Sequence, residues 1–158
     1  MLERPVTGSM VLSPLPVAPQ PRAAWAGMLP VSKSAAAWAR HDTTWFLRSC
    51  RDAPDNDLIE VANLLMSELV TNAYDAMSDL ASATVIEFSL RLFSDRLLIE
   101  VIDSSREHPV LNPPDDPSEE HGRGLGIVES LSSEWGYFRH RGKKVVYCIL
   151  PIIPDAEA

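Results

Sequence analysis

The chain has 158 residues, 46% hydrophobic and 23% charged, which is enough to bury a core without disulfides or a structural metal. Fourteen Lys and Arg against 22 Asp and Glu leave a formal charge of −8. That balance argues against sequence-independent binding of DNA or RNA, which needs a basic surface to displace phosphate counterions. No apolar run approaches the roughly 20 residues that cross a bilayer, and Pro14 and Pro16 interrupt Met10-Val11-Leu12 before a signal-peptide core forms. The expectation is a cytoplasmic protein. Cys50 and Cys148 have no CxxC spacing and no His nearby, so they read as two small thiols in or near the core.

Residues 1–23 carry five of the thirteen prolines and no periodic pattern, which predicts a disordered tail ahead of a domain over 24–151. Trp25 to Leu29 predicts an edge strand, where Pro30 does least harm. Ser32 or Ser34 is placed to cap a helix from Ala35 to about Cys50. A longer helix is predicted from Asp55 to about Leu80, with Leu58, Ala62, Leu65, Leu69, Ala73, Ala76 and Leu80 on one face. Residues 85–92, alternating from Ile86 onward, turn at Ser94-Asp95 into 96–102, a hairpin that ends at Asp103.

Residues 104–122 break the pattern with four prolines and five acidic residues, and a structureless stretch of that length predicts a lid or binding loop. A helix follows from Ile127 to about Ser133. A second hairpin then joins Trp135–Arg139 to Val145–Leu150 through Gly142, and 152–158 read as a flexible tail. Hairpin connections imply mainly antiparallel strands with the helices on one face. The predicted fold is an α+β two-layer sandwich of a mixed, mostly antiparallel sheet and about three helices.

Three segments could carry chemistry. Glu68, Asn72 and Asp75 share a helix face bordering the apolar stripe. A carboxamide there can hold Mg²⁺ and a carboxylate can position a hydroxyl, although a solvated helix edge has the same spacing. Asp103 at a strand tip can accept from an exocyclic amine or begin a turn. Gly122-Arg123-Gly124-Leu125-Gly126 at a helix start is suited to an anion or to a hinge; it is neither a dinucleotide fingerprint nor a Walker loop. His41, His108, His121 and His140 are scattered without metal-ligand spacing.

Taken in order, Glu68-Leu69-Val70-Thr71-Asn72-Ala73, the strand-terminal Asp103, the long loop and the GRGLGIVESL segment resemble the GHKL ATPases of the Bergerat fold. Trp135-Gly136 and the closing Lys144-Val145-Val146-Tyr147 strand are similar to the anti-sigma-factor serine/threonine kinase branch of actinobacterial type. The resemblance covers about Trp25 to Leu150. It implies Glu68 as catalytic base or orienting carboxylate, Asn72 as the Mg²⁺ ligand and Asp103 on the adenine amine. Gly122, Arg123, Gly124 and Leu125 would be at the phosphates, and 104–120 would be the ATP lid.

It further implies a regulator that sequesters a sigma factor and phosphorylates a Ser or Thr of a STAS-type antagonist. A homodimer through the first strand and helix is the expected assembly. Ser105 and Glu107 stand where the family's second motif has glycines. That departure motivates the alternative of a non-catalytic partner-binding module with a degenerate nucleotide site. A stand-alone ATPase subunit acting outside a sigma pathway is a third possibility.

Overall fold

The computed structural model describes residues 18–109 and 123–153. In chain order these form β1 (Ala23–Pro30), α1 (Ala35–Ser49), α2 (Asn56–Met77), β2 (Val85–Leu92), β3 (Arg96–Asp103), α3 (Arg123–Leu131), β4 (Glu134–His140) and β5 (Lys143–Pro151). The sheet runs β1-β2-β3-β5-β4. Every described pairing is antiparallel, so the mixed sheet expected from the sequence is antiparallel throughout these residues. Arg22 N–H already donates to Leu92 O at 2.6 Å, so sheet pairing begins inside the stretch assigned to the tail.

Alternation decides the two faces of the sheet. Ile86, Phe88, Leu90 and Leu92 of β2, Leu97, Ile99 and Val101 of β3, and Val146, Cys148 and Leu150 of β5 all point inward. Against them lies one side of α2, which buries Ile59, Ala62, Leu65, Met66, Leu69, Val70, Ala73 and Met77. This arc is wider than the predicted stripe and rotated from it. Leu58 and Ala76 are only half-buried, and Leu80 lies past the end of the helix and is exposed. Adjacent apolar pairs such as Leu65-Met66 and Leu69-Val70 both reach the sheet, which pulls the centre of the buried arc away from the single-file stripe.

The start of α2 is locally encoded. Asp55 takes an extended conformation and its Oδ1 accepts the Leu58 N–H at 2.8 Å, satisfying one of the orphan donors of the first turn. The start of α1 differs from expectation, because no serine side chain caps it. Instead the Ala35 and Trp38 N–H groups donate to the Ser32 and Ser34 carbonyls. Trp45 of α1 meets Trp25 of β1 edge-on, ring centroids 4.9 Å apart, which ties this helix to the outer strand.

On the open face of the sheet, polar groups pair across strands. Ser89 Oγ donates to Glu100 Oε2 at 2.6 Å beside an Arg91–Glu100 ion pair, and Lys143 meets Glu87 at 2.9 Å. The β4–β5 hairpin closes through Arg141 and Gly142, both at positive φ (50° and 77°), as a primed two-residue turn requires.

Replacing Asp55 with Ala removes the cap of the helix that supports the whole inner layer. The expected loss is about 1 kcal/mol, read from the midpoint of urea unfolding with an unchanged m-value.

Candidate functional site

α2 carries Glu68 and Asn72 along the border between its buried arc and solvent, four residues apart and therefore on one side of the helix. Both are half-buried. Burial raises the Glu68 carboxyl above the ordinary carboxylate value, because the charged form loses hydration there. The Nδ2 of Asn72 is shut away from solvent with no hydrogen-bond partner among the described residues. Among the described residues this leaves one buried donor beside Glu68 without an acceptor.

α3 begins at Arg123, four residues before the predicted Ile127, so Gly124 and Leu125 lie in its first turn and not in a loop ahead of it. Leu125 is a core residue. Gly124 lies directly on Glu68: a Cβ added there would overlap Glu68 Oε2 and stand 3.3 Å from its Cδ. Glycine permits this approach with the Glu68 carboxylate where it stands, and the approach brings the first turn of α3 beside α2. Gly122 falls outside the described residues, and of Arg123 only the backbone is described. Of the expected lid, residues 104–109 are described and form no helix or strand.

Asp103 ends β3 on the helix-facing side and is buried. Its carboxylate is already engaged. Oδ1 accepts the Ser105 N–H at 2.8 Å, and Oδ2 pairs with Lys144 Nζ at 3.2 Å. Lys144 sits directly opposite Asp103 in the β3–β5 register. It also donates to Ser105 Oγ at 2.9 Å and to the Glu107 carbonyl at 3.2 Å. Arg139 of β4 holds the same corner through the Ser105 and Arg106 carbonyls, at 3.1 and 2.7 Å.

Ser105 and Glu107 do not adopt positive φ, since Arg141 is the non-glycine residue that does so among those described. The glycine freedom missing from the sequence is therefore not used here; a turn around Asp103 takes its place. Lys144 is the functional candidate that sequence reading passed over. Its signal was a cation in phase with Val146, Cys148 and Leu150, an inward position of an alternating strand where lysine is rarely buried without a partner.

The structure thus joins Glu68 to Gly124, while the polar contacts of Asp103 run to Lys144 and Ser105. Among the described residues no group of three or more His, Cys, Asp and Glu could hold a metal ion. A single carboxamide fits only an ion that takes most of its ligands from water and phosphate oxygens, as Mg²⁺ does. Cys148 is buried and its thiol is pushed up to about 12, and burial also raises Cys50, so neither is a thiolate nucleophile at neutral pH. Among the described residues no helix is long and apolar enough to cross a membrane.

Comparison with known proteins places this geometry in context. The sequence model of the family described as "Histidine kinase-like ATPase domain" matches residues 29–149. Among solved structures, the RsbU and RsbW domains of Rv1364c from Mycobacterium tuberculosis match with a TM-score of 0.59 at 19% identity. The match covers 81% of this chain and 31% of that one, so this chain spans about a third of that protein's length. No curated protein matches this chain.

The raised Glu68 carboxyl has a stability consequence. A carboxyl raised on folding contributes stability below its unfolded value and loses it as pH rises through the raised folded value. Glu68→Gln is therefore expected to melt at a higher temperature than the native chain at pH 7, with the two converging on acidification towards pH 4. Melting curves at several pH values check this.

Proposed function

We propose, for a chain that belongs to the family of histidine kinase-like ATPase domains, an ATP-dependent regulator of the anti-sigma-factor kinase type. It would sequester a sigma factor and phosphorylate a Ser or Thr of a STAS-type antagonist in the cytoplasm. The observation that carries this reading is the contact of Gly124 with Glu68, which sets the helix start of α3 against a carboxylate whose affinity for a proton is raised by burial.

In this reading the first-turn N–H groups of α3, with Gly122 and Arg123, hold the polyphosphate. The Asn72 carboxamide would hold Mg²⁺, and Asp103 would accept from the adenine amine. Bound Mg²⁺ supplies charge neutralisation across the phosphate oxygens. Glu68 orients the incoming hydroxyl and takes its proton as the new oxygen–phosphorus bond forms. The bond between the γ-phosphorus and the β,γ-bridging oxygen breaks, and ADP leaves with that electron pair. A desolvated carboxyl of raised proton affinity suits this task better than a surface one. Residues 104–122 act as the lid that keeps water from competing for the phosphoryl group.

The outward side of α1 supports a protein-binding role. Trp38 and Trp45 are exposed there, and a groove of about 590 Å³ between α1 and α2 is lined by Arg40, His41, Trp45, Arg48 and Asn63. At the outer strand Met28 is 71% exposed, which supports pairing of two copies through β1 and α1. A second reading, a partner-binding module without catalysis, is favoured by one observation, the engagement of Asp103 by Lys144.

Titration calorimetry with Mg·ATP, together with phosphotransfer to a co-purified antagonist, separates the two. For the kinase, Glu68→Gln lowers transfer by about 10²–10⁴-fold while nucleotide affinity stays within a few-fold. Absence of ATP binding to the native chain would overturn the kinase reading. If the two-copy arrangement holds, Met28→Asp converts a dimer to a monomer in sedimentation equilibrium.

A further inference from the structure

We propose that Lys144 is an internal competitor for Asp103, one that sets nucleotide affinity. The inference rests on the reading of Asp103 as the adenine contact.

Lys144 and Asp103 face each other across the β3–β5 ladder, with side chains only 5% and 1% exposed. A lysine ammonium has three N–H donors. Three acceptors surround this one: Asp103 Oδ2 at 3.2 Å, Ser105 Oγ at 2.9 Å and the Glu107 carbonyl at 3.2 Å. The other carboxylate oxygen is taken by the Ser105 N–H. The cage is therefore complete without a ligand, and its occupant is a donor of the same polarity as an exocyclic amine.

Between two donors competing for one buried carboxylate, the charged one makes the stronger bond. An adenine amine must displace the ammonium or accept a weaker share of Asp103. Either way base recognition yields less binding free energy than a free carboxylate would provide. The ammonium also binds Ser105 and Glu107, which begin the expected lid, so its displacement releases two of the contacts that pin that corner. The Arg139 contacts to the Ser105 and Arg106 carbonyls remain to guide the segment.

The test compares the full native chain with Lys144→Gln, which keeps a neutral donor beside Asp103. Both are titrated calorimetrically with Mg·ATP and with Mg·purine-riboside triphosphate, which lacks the exocyclic amine. The variant is expected to bind ATP at least roughly tenfold more tightly, with affinity for the amine-free analogue nearly unchanged. A gain of equal size for both ligands means a loosened corner only, and overturns the proposal. Unchanged or weaker ATP binding by the variant, with measurable binding by the native chain, overturns the competition while leaving the nucleotide site intact. Failure of both folded proteins to bind either ligand removes the nucleotide reading itself, and the proposal with it.

Should Lys144→Gln not fold, the native chain supplies the answer by NMR. The Cε resonance of Lys144 is expected to shift on saturation with Mg·ATP and far less with the amine-free analogue. A resonance unmoved by bound ATP, or moved equally by both ligands, overturns the proposal.

Discussion

The burial of one side of α2 against β2, β3 and β5 is the constraint on which the remaining geometry depends. Eight side chains of that helix are withdrawn from water onto the alternating inward residues of the strands. Because helical residues advance by about 100°, fixing this arc also fixes what lies on its border. Glu68 and Asn72 are held at the edge of the core, neither free in solvent nor fully excluded from it. Partial desolvation of Glu68 and the amide of Asn72, unpartnered among the described residues, give those two residues their chemical interest.

Among the described residues the fully buried polar side chains are Thr43, Asp103, Ser105 and Lys144, and the last three bond to one another. A chain of formal charge −8 places one lysine on the inward side of its sheet, opposite one aspartate. Burying such a pair is costly unless the remaining donors and acceptors are matched, and here serine and two backbone groups complete the match. The same pair lies at the junction between β3 and the segment that follows it. Electrostatic satisfaction of the core and the conformation of residues 104–107 are therefore one problem with one solution. The solved RsbU and RsbW domains share the fold with this chain, and fold alone does not say how such a junction is used.

Much of the architecture was legible in the residues. Alternation from Ile86 to Leu92 and the run 96–102 after it defined the first hairpin, and the Ser94-Asp95 turn has its expected place. Gly142 was recognisable as a turn residue, although the positive φ of Arg141 beside it was not. The rotation of the α2 arc was missed because a three-to-four spacing selects one stripe, whereas a flat sheet receives adjacent apolar residues together. The start of α3 was placed too late because glycines suggested a loop, yet here they permit close packing on α2. Ser105 was read as a missing glycine, although the corner is held by hydrogen bonds that any backbone conformer at negative φ can make.

Taken alone, the residue order determined the sequence of elements, the alternation of β2 and the family to which the chain belongs. These follow from local periodicity and from motifs whose members are close in sequence. Tertiary structure alone decided that Gly124 rests on Glu68 and that Lys144 closes on Asp103, pairs separated by 56 and 41 positions. Contacts at that range are set by strand register and helix docking, which emerge only when the layers pack. No reading of neighbouring residues could supply them.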